Sequence, residues 1–173
     1  MSDPAHKLPL RGDPKRNVFR VYRDVRFSKD KIPYKTHAAA HLTRDGIKGA
    51  PGGLYIHIEP GKCFLAAGFF RPEPAFFLRW RQQMIADPER FLDLVAEYRR
   101  KKSISLASSH ELKTMPRGFK EHAESPIGPY LRWKSFVLSR SVTDIAVSRR
   151  DLVKATLSFA RQAQPILDFG WML

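Results

Sequence analysis

The feature that most narrows the fold is a change of hydrophobic period near Pro74. Before it, three segments alternate and a fourth is almost wholly apolar; after it, apolar residues recur at helical spacing. From Phe19 to Phe27 one face carries Phe19, Val21, Arg23, Val25 and Phe27, and the other Arg20, Tyr22, Asp24 and Arg26. This is the pattern of a half-buried strand. Thr36 to Arg44 gives a second strand, with His37, Ala39, His41 and Thr43 on one face. Leu54 to Glu59 gives a third, in which Leu54, Ile56 and Ile58 oppose Tyr55, His57 and Glu59. Cys63 to Phe70 reads as a central strand buried on both faces. Short connections between successive strands demand antiparallel pairing, because a parallel return needs a long crossover. Arg23 is the exception on its apolar face, and a buried guanidinium must find a carboxylate or several carbonyls.

Past Pro74 the reading is helical. Pro74 suits a first turn, and Phe77, Leu78, Arg81, Met84 and Ile85 form a stripe over 74–86. Asp87-Pro88 is a cap followed by proline at the first helical position, which starts a helix over 88–101. Arg99-Arg100-Lys101-Lys102 suits its negative end. Residues 103–106 and 135–139 read as short strands, and Ser148 as the cap of a last helix over 149–167, with Pro165 near its end. The expected fold class is α+β: an antiparallel meander of four to five strands packed against three main helices. Residues 1–17, with Pro4, Pro9, Gly12 and Pro14, read as an irregular lead-in to a single domain over 18–173. A chain of 173 residues buries roughly 70% of its unfolded surface and needs no covalent staple. Its one cysteine, Cys63, excludes a disulfide framework and any paired-cysteine zinc site. No apolar run approaches the roughly 20 residues of a membrane helix. Met1 to Leu10 lacks the apolar core of a secretory signal, so a cytoplasmic location is expected.

Charge is unevenly placed. The formal net charge is +14, and Lys15 to Lys35 holds eight cations against Asp24 and Asp30. Arg20 and Arg26 lie about 20 Å apart along an extended strand. Ser28, Lys29, Lys31, Tyr34 and Lys35 follow in a loop broken by Pro33. Arginine forks and lysine points are what phosphate or carboxylate recognition requires, so Arg20, Arg23, Arg26, Ser28, Lys29, Lys31, Tyr34 and Lys35 are the anion-binding candidates. The competing reading is a set of solvated charges that keep an edge strand from aggregating. Neither a Gly-x-x-x-x-Gly-Lys-Ser/Thr loop nor a Gly-x-Gly-x-x-Gly loop is present.

The run Phe19-Arg20-Val21-Tyr22-Arg23-Asp24-Val25-Arg26-Phe27-Ser28-Lys29-Asp30-Lys31-Ile32-Pro33-Tyr34-Lys35-Thr36-His37 resembles the signature of DUF2461, a bacterial and fungal family of unknown function. Pro51-Gly52-Gly53-Leu54-Tyr55-Ile56-His57-Ile58-Glu59-Pro60-Gly61 and Gly68-Phe69-Phe70-Arg71-Pro72-Glu73 are similar to a second block, and Pro116-Arg117-Gly118-Phe119 to a third. The resemblance covers nearly the whole chain and implies no particular chemistry. Members of that family usually begin with a helical segment bearing an Asn-Asn-Arg-x-Trp-Phe-like motif, whereas Leu10 to Arg16 already resembles the linker that follows it. The resemblance thus implies either a shortened member or a start that is internal to a longer chain, and the expectation is that an apolar face of the sheet or of the last helix is uncovered and open to self-association.

For chemistry, His37, His41, His57 and Glu59 are the one cluster of interest. His37 and His41 lie about 13 Å apart on one strand and cannot share an ion. If His41 sits opposite His57, their Cβ atoms are about 5 Å apart, with Glu59 on the same face. His57, Glu59 and His41 are therefore the catalytic candidates, for acid–base work; no metal and no cofactor is expected. Cys63 opens an apolar strand and reads as a small buried hydrophobe. Trp80 and Trp133 read as core aromatics, with stacking on bases the sharper alternative. Three readings stay open: a module that binds a phosphate-bearing ligand or nucleic acid, an enzyme for a small anionic metabolite, and a truncated member without activity.

Overall fold

The computed structural model describes residues 8–23, 26–27, 31–107, 110–149 and 151–173. In chain order the elements are α1 (Pro14–Asn17), β1 (Ala38–Thr43), β2 (Gly53–Ile58), β3 (Phe64–Phe70), α2 (Pro74–Ala86), α3 (Pro88–Arg100) and β4 (Ser105–Ala107). A 3-10 turn (Lys120–His122), α4 (Gly128–Leu131), β5 (Ser135–Ser141), α5 (Asp144–Ser148) and α6 (Asp151–Trp171) follow. The strands form one antiparallel sheet in the order β1-β2-β3-β5-β4. The fold class is α+β.

The helices pack on one face of the sheet because alternate residues of each central strand are large and apolar there. Leu54, Leu65, Phe69, Phe136 and Leu138 meet Phe77, Trp80 and Met84 of α2, Phe91 and Val95 of α3, and Phe159, Ile166 and Phe169 of α6. Trp80 lies at ring-centroid distances of 4.7 Å from Phe136 and 5.0 Å from Phe69. α6 crosses close to the sheet because Gly170 has no side chain: a Cβ there would lie 2.3 Å from the Phe69 ring. Pro74 and Pro88 stand in the first turns of α2 and α3, and the Asp87 side chain accepts from the Arg90 amide at 3.2 Å. The Tyr98 hydroxyl donates to the Gln162 carbonyl at 2.9 Å and ties α3 to α6; burial pushes that phenol well above its ordinary range.

The fold departs from four expectations. The described residues of the 19–27 segment form no strand of the sheet, and Asp24 and Val25 lie outside the described residues. Residues 18–23 are one limb of a ribbon whose other limb, residues 31–35, leads into β1; the limbs are joined by Val18↔Ala40 and Tyr22↔Tyr34 bridges and by hydrogen bonds from Arg23 N to Pro33 O (2.8 Å) and Lys35 N to Val21 O (2.9 Å), and Arg26 and Phe27 lie in a turn. Val21 and Phe27 are 52% and 96% exposed, since among the described residues no second layer covers them. Arg23 is exposed as well. The half-buried guanidinium is Arg81, whose Nε donates to the Leu131 carbonyl at 2.7 Å. β3 is covered on one face only, and Phe70 is 65% exposed on the other. Ser148 closes α5 rather than capping α6, its hydroxyl donating to the Ile145 carbonyl at 3.0 Å.

The lead-in is tied down from residue 11 onward. Arg11 and Thr43 exchange backbone hydrogen bonds at 2.7 and 3.2 Å. Asp13 caps α1 by accepting from the Lys15 amide. Asn17, 3% exposed, donates to the carbonyls of His41 (2.9 Å) and Gly46 (3.1 Å).

Candidate functional site

Three regions hold the chemistry, and the first is the ribbon of residues 18–23 and 31–35 with the turn at 26–27. Arg20, Arg23, Arg26, Lys31 and Tyr34 are exposed on it, and Lys35 is half-buried. Ser28 and Lys29, also anion-binding candidates, lie outside the described residues. Large apolar side chains alternate with the cations instead of packing inward: Tyr22 is 62% exposed, Ile32 60% and Tyr34 53%. The Tyr22 and Tyr34 rings pair across the ribbon at 5.3 Å. The Arg26 guanidinium stands 5.9 Å from the Phe27 ring. At the root of the ribbon, Lys48 and Lys35 ammonium groups stand 4.8 and 5.9 Å from the Phe19 ring, and Lys48 Nζ donates to the Val18 carbonyl at 3.0 Å.

The second region is the histidine cluster on the face of β1 and β2 away from the helices. Ala39 pairs with His57 and His41 with Tyr55, so His41 does not face His57. The pairing starts at Thr43↔Gly53, which shifts the register by two residues from the expected one. Gly53 permits this close start: a Cβ there would lie 2.3 Å from the Leu42 carbonyl oxygen and 2.7 Å from His41 Nε2. His37 takes the place assigned to His41, with its ring 4.5 Å from that of His57, and Phe64 covers His57 on its other side at 4.6 Å. His57 Nδ1 is 3.2 Å from the Tyr55 hydroxyl, and His57 Nε2 is 3.4 Å from Glu59 Oε2. The Thr36 hydroxyl donates to Glu59 Oε1 at 2.8 Å. The hydrogen bonds from Thr36 and then His57 hold the Glu59 carboxyl below its ordinary range. Burial pushes the Tyr55 phenol up. His41 stands apart, its Nδ1 accepting from the Gly49 amide at 3.5 Å, and burial lowers its pKa. The structure thus brings His57 and Glu59 together and separates His41 from them. An imidazole held between a phenol and a carboxylate has a fixed ring orientation, which proton transfer requires.

Among the described residues, no group of three or more His, Cys, Asp or Glu side chains is placed to hold a metal ion. Cys63 is buried, its thiol donates to the Glu59 carbonyl at 3.1 Å, and burial pushes its pKa up. Trp80 is fully buried and Trp133 packs on Phe136 at 5.2 Å.

The third region is a trough that no single segment announces. Register lays small residues side by side across the open sheet face: Ala66 between Tyr55 and Ser139, and Gly68 between Gly53 and Val137, with Ala107 beyond. Aromatic residues Phe19, Tyr55, Phe64 and Phe70 line the hollow with residues 49–53, enclosing about 750 Å³. Arg71 and Glu73 also line it. Arg71 has φ +44°, the one positive φ outside glycine among the described residues. Such a conformation costs about 1–3 kcal/mol in a residue with a side chain, and Pro72 restricts Arg71 further. The Arg71 amide is held by donating to Ser135 Oγ at 3.2 Å. Sequence periodicity missed Arg71, Phe70 and the trough; the one local signal was an arginine directly before proline at the end of an apolar strand.

Among the described residues, no helix is long and apolar enough to cross a membrane. No curated protein and no solved structure matches the chain. The model of the conserved hypothetical protein family DUF2461 matches residues 2–169, almost the full length, and the chain belongs to that family.

Proposed function

We propose that the chain binds phosphate-bearing polymers, single-stranded nucleic acid first among them, through the ribbon of residues 18–23 and 31–35 and the turn at 26–27. One observation carries the reading: cations and large apolar side chains are interleaved and exposed together on an element that no second layer covers among the described residues. Arg20, Arg23, Arg26, Lys31 and Lys35 supply charge for a phosphate backbone, joined by Ser28 and Lys29 in the sequence. Phe27, Tyr22 and Tyr34 supply ring faces on which any base can stack. A merely solvated edge has no use for a phenylalanine that is 96% exposed. The test is fluorescence anisotropy with a labelled mixed-sequence single strand at low salt. Binding is expected, and Phe27→Ala is expected to weaken it by about 1–3 kcal/mol with Tm unchanged. Absence of binding at low salt overturns the proposal.

A second reading, an enzyme acting on a small anionic metabolite, rests on the Tyr55–His57–Glu59–Thr36 chain of contacts. In it His57 moves the proton and Glu59 orients the ring, with no part for His41. A panel of phosphate and carboxylate esters tests it. Turnover abolished in His57→Gln, with oligonucleotide binding intact, favours this reading; no turnover across the panel counts against it.

A further inference from the structure

We infer that the trough on the open sheet face is a binding site for a small apolar molecule bearing one carboxylate, with its body on the sheet floor and its carboxylate at Arg71. The inference is independent of the ribbon and of the histidine cluster. Volume is the first ground: about 750 Å³ lies within the range of small-molecule sites, roughly 300–1,000 Å³. The second is the surface chemistry. Rings of Tyr55, Phe64 and Phe70 stand over a floor of Ala66, Gly68 and Val137, so an apolar body loses its water without stranding polar groups.

The third ground fixes the head group. Arg71 is the cation of the lining, it is exposed, and no carboxylate of the described residues lies within ion-pair distance of it. Its backbone is held in the left-handed region, directly before a proline, at the end of β3. Glycine would take that conformation without strain. A strained arginine kept where glycine fits better belongs to ligand clamps more than to folding scaffolds, and a guanidinium fork matches a carboxylate with two parallel hydrogen bonds. Glu73 supplies the opposite charge at the same lining, which disfavours a second anionic group on the ligand.

The experiment uses the whole chain and three probes of one length: decanoate, decanol and decylammonium, titrated calorimetrically. Decanoate is expected to bind saturably, one per chain, and about tenfold or more tighter than either companion. Ala107→Phe, which fills the trough from exposed β4, is expected to abolish binding with the fold intact by circular dichroism. Arg71→Gln is expected to equalise decanoate and decanol. Arg71→Gly is expected to lose the same selectivity while its Tm stays level or rises, because the strain is relieved. Failure of decanoate to saturate, equal or tighter binding of decylammonium, or binding that survives Ala107→Phe overturns the inference. A lower Tm in Arg71→Gly assigns the arginine to the fold and overturns its role as clamp. A dimer that Ala107→Phe dissociates assigns the face to a second copy of the chain and overturns the site as well.

Discussion

At the scale of single residues, two positions explain how the sheet presents its open face. Gly68 has φ +133°, and a Cβ there would lie 2.1 Å from the Phe136 carbonyl oxygen. The clash is with backbone, which cannot swing aside. Gly68→Ala is therefore expected to destabilise by more than about 1 kcal/mol, since an incompatible alanine costs more than the gain at a compatible site; urea denaturation at constant m-value checks it. Glu59 is the second. Its carboxyl titrates below the ordinary value because Thr36 and His57 hydrogen-bond the charged form. A depressed folded-state pKa contributes stability that is full above the unfolded glutamate value and fades as pH falls through the folded value. Glu59→Gln, which mimics the protonated carboxyl, should therefore lower Tm near neutral pH and converge with the parent in acid. A constant gap across the pH series would show that the effect is packing rather than charge.

At the scale of elements, legibility followed locality. α2 and α3 were readable because Pro74 and Asp87-Pro88 punctuate the chain within one turn of each start. β2, β4 and β5 were readable to within a residue or two from alternation or a short apolar run. The ribbon shows where that signal stops. Alternation over Phe19 to Phe27 signals an extended chain, which the described residues follow to Arg23 before a turn at Arg26 and Phe27, and sheet membership needs a covering layer that only distant segments supply. With none among the described residues, Val21 and Phe27 face solvent instead of core. The histidine pairing failed for a related reason: register depends on where the β1–β2 turn ends, and the lack of a Cβ at Gly53 decided it. His57 and Glu59 were readable as neighbours on one strand face; His37 and Tyr55 entered only once the register was known. The trough needed the alignment of four strands and lay beyond any local pattern. Removing the cross-strand ring pair by Tyr22→Ser and Tyr34→Ser is expected to loosen the ribbon alone. Hydrogen exchange should quicken at the amides of Arg23 and Lys35, which bridge it, and stay unchanged in β3.

At the scale of the molecule, the two sheet faces divide the labour. One is sealed by α2, α3 and α6 around Trp80, and supplies the stability of the fold. The other is left to the ribbon, the histidine cluster and the trough, and all three proposals of function lie on that side or extend from it. The net charge of +14 favours anionic partners over the whole surface, and the ribbon is where we propose that this attraction acts. The central claim is that the cations of this ribbon contact successive phosphates. Its most direct measurement is the affinity for a mixed-sequence single strand across a salt series. If Arg20, Arg23, Arg26, Lys31 and Lys35 each meet one phosphate, log K should fall against log salt with a slope of about −3 to −4, and Arg20→Gln with Arg26→Gln should flatten it by about 1.4. A slope near zero, or one that the double substitution leaves unchanged, contradicts the account.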